Sequence, residues 1–299
     1  MKQDLRISFH DEIARNKRNS VFLIIIIFLV FILLAYVIGL IYQEFFFIIL
    51  IFGIIISVTY ILISYYNSDK IALASVRAKP ASQSEYRQLH NIVEGLCLAS
   101  GMPKPRIYII DGAQINAFAT GRNPQNSVIA VTSGALEKLN KQELEGVIGH
   151  ELSHIANYDI RFMTLVAVLV GMIAIISQIF LRSLWFSGGR GGGKSDKGKA
   201  ILILIGIALA ILAPIIVWLV QMAISRKREY AADASSVKFI RSPTGLISAL
   251  KKIKGDTNKV KVSGAVSPLF ISDPLKKKIS GLTSTHPPID SRISKLERM

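Results

Sequence analysis

The chain has 299 residues, 51% apolar and only 19% charged, with a mean hydropathy of +0.44. Water-soluble domains carry about 25% charged residues and disordered chains lack so much apolar content, so a purely soluble enzyme and a disordered protein are both excluded. The formal net charge of +16 comes without any nucleic-acid-binding motif; beside long apolar segments, Lys and Arg serve instead to hold loops against anionic lipid headgroups.

Four stretches contain no Asp, Glu, Lys or Arg: Val21–Tyr42, Phe45–Ile63, Phe162–Leu181 and Ala200–Ile224. At about 1.5 Å per residue, roughly 20 helical residues cross a hydrocarbon core of about 30 Å, so each is predicted to span a membrane. The first is too long for a cleaved leader and no small-residue cleavage site follows it. Only Gln43-Glu44 separates the first two. One continuous helix would leave Glu44 in lipid at a cost of several kcal/mol, so a tight helical hairpin is expected.

These spans divide the chain into a tail and hairpin (1–66), the first part of a soluble domain (67–160), a second membrane pair (161–224) and the second part of that domain (225–299). The expected fold is α+β: a mainly helical integral membrane protein with four transmembrane helices and a cytoplasmic catalytic domain containing a small β-sheet. Lys2, Arg6, Arg15, Lys17 and Arg18 precede the first span, Lys70, Arg77 and Lys79 follow the second, and Arg226, Lys227 and Arg228 follow the fourth. The positive-inside rule puts those regions in the cytoplasm, although the opposing 182–199 loop is also basic. Its Gly188–Gly193 run lacks the flanking strand and helix of a phosphate cradle and reads as a linker. The single cysteine, Cys97, makes no internal disulfide, in keeping with a reducing compartment.

Within the first soluble part, Arg106–Ile110, Gln114–Ala119 and Ser127–Thr132 have strand-like composition, broken by Asp111-Gly112 and by Gly121-Arg122-Asn123-Pro124. Asn140 followed by Glu143 is a capping box, so a helix is predicted to start there, with Leu144, Val147, Ile148, Leu152 and Ile155 as its apolar stripe. On that helix His150 and His154 stand one turn apart on one face. That spacing lets two imidazoles bind one zinc per chain, with Glu151 beside the open coordination position as general base.

Two histidines leave zinc short of a third ligand. Downstream of His154 the only glutamates are Glu229 and Glu297, and Glu297 lies in a charged tail. Glu229 opens the helix-forming run Glu-Tyr-Ala-Ala-Asp, and is the expected ligand. Asp233, one turn on, is placed to hold a ligand imidazole by its free N–H, and is the next candidate for the ligand itself.

His-Glu-Leu-Ser-His (150–154), Arg-Glu-Tyr-Ala-Ala-Asp (228–233) and Asn116-Ala117-Phe118-Ala119-Thr120 together resemble the HtpX-type heat-shock membrane zinc proteases, bacterial relatives of the CAAX prenyl proteases and of a mitochondrial inner-membrane quality-control protease. The resemblance spans essentially the whole chain. It implies a zincin-type (gluzincin) endopeptidase of the bacterial inner membrane, acting in stress response on misfolded or damaged membrane proteins at the cytoplasmic face. It further implies that Asn116, Ala117, Phe118 and Ala119 form the edge strand that binds substrate backbone. In Thr285-His286-Pro287-Pro288 it makes His286 a candidate to stabilise the oxyanion, and it gives the later Arg292 a carboxylate-positioning role. A catalytically silent scaffold is disfavoured because His150, Glu151, His154 and Glu229 are all present. A prenyl-substrate protease is disfavoured because four helices cannot wall off a chamber.

Overall fold

The computed structural model describes residues 9–41, 43–167, 226–260, 262, 266–274 and 287–299. Most of the second membrane pair, the glycine-rich 182–199 loop, Lys2, Arg6 and His286 lie outside the described residues.

The first two apolar stretches form a helical hairpin. Helix α1 (Phe9–Ile41) starts well before its apolar run; a short 3-10 turn over Gln43–Phe45 reverses the chain into α2 (Phe46–Ser75). Gly53 lets the two helices close up, since a Cβ there would lie 2.3 Å from that of Ala35. Phe31 packs on Tyr60 and Tyr36 on Phe46, at ring separations of 5.4 and 5.7 Å. Among the described residues, two stretches are long and apolar enough to cross a membrane, Ile13–Leu33 and Gln43–Ser75. Only 6% of the α2 window is buried, and Phe47, Ile51, Phe52 and Ile55 point outward. A soluble core helix hides such side chains, and lipid is the environment that accepts them. At Asn67 the backbone leaves helical geometry (φ −117°, ψ 15°), and beyond this break Ser68, Asp69, Ala72 and Leu73 are buried.

The sheet has four strands: β1 (Lys79–Pro80), β2 (Arg106–Ile110), β3 (Ala117–Asn123) and β4 (Asn126–Thr132), in the order β1-β2-β4-β3. β2 and β4 are parallel, with Ile107 opposite Ile129; β3 and β4 form an antiparallel hairpin, with Ala117 opposite Val131. The middle strand runs further than the composition predicted. Gly121 and Arg122 stay in β3 across a register irregularity, and the turn is confined to Pro124-Gln125. Its start is later because Gln114 and Asn116 are tied into a loop: the Thr132 hydroxyl donates to the Gln114 carbonyl at 2.6 Å, and the Asn116 N–H donates to the Thr132 hydroxyl at 3.0 Å.

Alternation along the strands gives the sheet two apolar faces. Ile107, Ala117, Ala119, Ile129 and Val131 face a core shared with α3 (Arg87–Ser100), α5 (Lys141–Ala156), α7 (Thr244–Gly255) and α8 (Ile289–Leu296). Ile110, Phe118, Val128 and Ala130 face a second core with Leu23 and Ile27 of α1, Ala72 and Leu73 of α2, and Phe162–Val166. The sheet is thus a partition between α5 and the base of the hairpin. The short α4 (Ser133–Lys138) leads from β4 into α5, its first turn capped by the Thr132 side chain. Helix α6 (Arg226–Ile240) lies across α5.

Candidate metal centre

Helix α5 begins where the sequence indicates. The Asn140 side chain accepts from the Glu143 N–H at 2.9 Å, and the Glu143 carboxylate accepts from the Asn140 N–H at 2.8 Å. Ser248 and Lys252 of α7 each donate to Glu143 at 2.7 Å, so the cap also ties two helices together. Two glycines then let the C-terminal helices approach. A Cβ on Gly146 would lie 2.6 Å from the backbone of Leu246, and one on Gly149 2.7 Å from the Ser236 hydroxyl. That hydroxyl donates to the Gly146 carbonyl at 3.0 Å. Close contact of α6 with α5 carries Glu229 to the histidines, across 78 intervening residues of chain.

His150 Nε2 and His154 Nε2 are 3.2 Å apart, and the two Glu229 carboxylate oxygens lie 3.6 and 3.7 Å from them. All three residues are buried. Nitrogen and oxygen ligands held about 2.0–2.1 Å from a single tetrahedral ion stand about 3.4 Å from one another. The observed separations are close to that spacing, with one ligand atom from each residue lying within 4.8 Å of the others. The outer ring nitrogens are already engaged: His150 Nδ1 lies 2.9 Å from Asp233 Oδ1, and His154 Nδ1 lies 2.9 Å from Asp159 Oδ2. A carboxylate on Nδ1 fixes the tautomer that presents Nε2 as a lone pair, which is how metal-binding imidazoles are oriented. Glu151 is 1% exposed, and neither of its oxygens has a hydrogen-bond partner among the described residues. A buried carboxylate without partners is costly unless it serves a bound species. The donor set and this orphan both fit a resident metal.

Arg292 is fully buried and grips Asp233 with two bonds, Nε to Oδ2 at 2.9 Å and Nη2 to Oδ1 at 2.6 Å. Its Nη1 donates to the Ile271 carbonyl at 3.2 Å and lies 3.6 Å from Glu229 Oε2. The guanidinium therefore touches the Asp233 and Glu229 carboxylates. Burial would push the Asp233 carboxyl up, but Arg292 and His150 hold it down to about 2. For His150, burial and Arg292 pull the imidazole down, yet Asp233 and Glu229 prevail and raise it to about 9. Burial raises the Glu151 carboxyl above its usual range, against the pull of the two imidazoles.

The structure therefore brings His150, Glu151, His154, Glu229, Asp233 and Arg292 together. Ala117, Phe118 and Ala119 open β3, an edge strand, Asn116 immediately precedes it, and all four are buried. The free side of that edge is partly taken: Phe118 bridges Phe270, and the Ile271 N–H donates to the Ala117 carbonyl at 2.9 Å. The residue sequence reasoning missed is Asp159. It lies just beyond the end of α5, where Tyr158 adopts φ +59°, and no spacing rule reaches across such a left-handed turn.

Residues 83–299 match the peptidase family described as Peptidase family M48. A "Protease HtpX homolog" from Thermoanaerobacter pseudethanolicus is 49% identical over 245 residues, covering 81% of this chain and 82% of that protein. One of the same description from Listeria monocytogenes is 42% identical over 301 residues, covering 97% and 99% respectively. A crystal structure of S. mikatae Ste24p is similar at 20% identity with a TM-score of 0.48, over 88% of this chain and 62% of that one. With its buried His-His-Glu cluster and its apolar hairpin, the chain belongs to peptidase family M48 and is a membrane metalloprotease.

Proposed function

We propose that the protein is a zinc endopeptidase that hydrolyses misfolded or damaged membrane proteins at the cytoplasmic face of a bacterial inner membrane. The observation that carries this reading is the triangle of His150, His154 and Glu229 with the unpartnered Glu151 carboxylate next to it. Nitrogen and oxygen ligands in a tetrahedral face suit zinc. When bound there, zinc supplies Lewis-acid polarisation of the scissile carbonyl and activation of water. Glu151 takes the proton from the attacking water and delivers it to the leaving amine, a role suited to a buried carboxyl with a raised pKa. Asp233 and Asp159 hold the imidazoles, and Arg292 holds Asp233. His286, by resemblance, donates to the developing oxyanion. A substrate strand adding to Ala117–Phe118 has to displace Phe270–Ile271.

The full chain, purified in detergent without zinc, should gain casein-cleaving activity on adding one equivalent of zinc. Glu151→Gln should bind zinc as well as the parent and lose 10²–10⁴-fold or more in turnover. Normal turnover in that variant would remove Glu151 as the base, and activity indifferent to zinc would remove the metal.

Two features support an arrangement with both soluble parts on one side. Glu229 meets His150 although two apolar stretches lie between them in sequence, and Asn16 near the start of α1 reaches the same site. An even number of crossings brings the chain back. In a chain with Cys97 replaced, a cysteine introduced at Ser187 should react with an impermeant thiol reagent outside intact cells, and one at Ser284 should not. The reverse pattern would place proteolysis outside the cell.

A further inference from the structure

Helix α1 lies outside residues 83–299, the part of the chain that matches the peptidase family. It nevertheless sends one side chain to the metal centre. Asn16 is 1% exposed, and its amide nitrogen donates to Asp159 Oδ1 at 2.6 Å and to the Asn157 carbonyl at 3.0 Å. Its amide oxygen accepts from Arg228 Nη2 at 3.4 Å. Both N–H protons and the acceptor of this amide are therefore used. The Asp159 carboxylate, also 1% exposed, faces Arg228 Nε at 3.0 Å through the oxygen that Asn16 holds, and its other oxygen meets His154 Nδ1 at 2.9 Å.

We propose that Asn16, on the first membrane helix, is a positioning residue of the metal centre, acting through Asp159 on His154. An imidazole presents Nε2 along a fixed direction only if the carboxylate on its Nδ1 is itself fixed. Asp159 follows a left-handed residue, Tyr158, a backbone state that persists only where its surroundings over-determine it. Asn16 supplies that determination twice, gripping the Asn157 carbonyl on one side of Tyr158 and the Asp159 side chain on the other. A buried amide near the entrance of an apolar helix is costly unless every polar atom is matched. The matching partners here are all at the active site. The hairpin is thus a working part of the metal centre as well as an anchor.

The inference rests on the metal reading, and the test separates the two. The full chain is placed in phosphatidylcholine nanodiscs, and zinc affinity is measured by competition with a chromophoric chelator. The absorption spectrum of the cobalt-substituted protein is recorded alongside. One zinc should bind to the parent protein; if none binds, the metal reading falls and this inference with it. Asp159→Asn should weaken zinc by about 10–100-fold, the usual consequence of losing such a partner. Asn16→Leu, nearly equal in shape, should weaken it by several-fold to about tenfold and alter the cobalt spectrum. The double variant Asn16→Leu/Asp159→Asn should lose less affinity than the sum of the two single losses, because Asn16 acts through Asp159, a coupling that packing alone does not produce. Parent affinity and spectrum in Asn16→Leu, with zinc still bound by the parent, would overturn the inference alone. If Asn16→Leu does not fold, Asn16→Ser takes its place in the same cycle: strictly additive losses reject the coupling and losses smaller than the sum establish it.

Discussion

His150 and His154 stand one turn apart on α5, yet opposite ends of the chain support them. Behind His150 is Asp233 of α6, clamped by two bonds from Arg292 of α8. Behind His154 is Asp159, held by the neutral amide of Asn16 from α1 together with Arg228. The first support is a desolvated ion pair, in which removing one partner strands a buried charge at about 3–5 kcal/mol. The second also contains a buried ion pair, Asp159 with Arg228, but adds a neutral amide to it. The difference is that Asn16 can be altered without stranding a buried charge, whereas neither member of the Asp233–Arg292 pair can. Both supports come from segments far from the motif in sequence.

The largest effect should come from the residue that faces both imidazoles. Glu229→Ala should abolish stoichiometric zinc binding and, with it, activity; equilibrium dialysis with metal analysis checks this. Full occupancy in that variant would pass the ligand role to Asp233 and dissolve the symmetry between the two supports. Next is the His150 side alone. Asp233→Asn should weaken zinc about 10–100-fold and, because Arg292 is fully buried, should also lower the melting temperature. A variant that lost affinity with unchanged melting would show that Arg292 finds another partner.

The smallest effect should lie at the far end of α5, away from both imidazoles. Glu143 is 2% exposed, and although burial would raise its carboxyl, Lys252, Ser248 and the Asn140 N–H lower it below the usual range. A carboxyl depressed in the fold stabilises it above the unfolded value of about 4.3, and that contribution fades as pH falls through the folded value. Glu143→Gln keeps the capping geometry and loses only the charge opposite a half-exposed Lys252, a change of about 0.5–1 kcal/mol. Its melting temperature should lie slightly below the parent's at pH 7, and the gap should close below about pH 4. A gap that widens in acid would contradict the depressed value.

The candidate ligands were legible because helical geometry is local. Once Asn140 and Glu143 set the start of α5, His150, Glu151 and His154 follow on known faces with no knowledge of the rest of the chain. Glu229 was found by elimination, because few glutamates follow the motif, and Asp233 by its one-turn spacing from Glu229. The hairpin was legible for a similar reason: length and apolarity suffice to mark a span, and Glu44 marks the turn between two.

Strand limits were less legible. Gly121 and Arg122 look like a turn in composition, yet pairing with β4 keeps them in the sheet. The pairing of Phe270–Ile271 with the β3 edge has no signature in either segment, because it depends on where α7 leaves the chain.

The sequence by itself determined what is periodic or adjacent: the apolar hairpin, the capped helix and the spacing of its two imidazoles and carboxylate. Only the tertiary structure decided what stands behind those imidazoles. Asn16 and Asp159 are 143 residues apart, and Asp233 and Arg292 59 apart. Contacts over such separations depend on how helices approach one another, as α6 and α7 approach α5 at Gly149 and Gly146. Nothing in a local window encodes that approach, because the side chains that create it act by their absence.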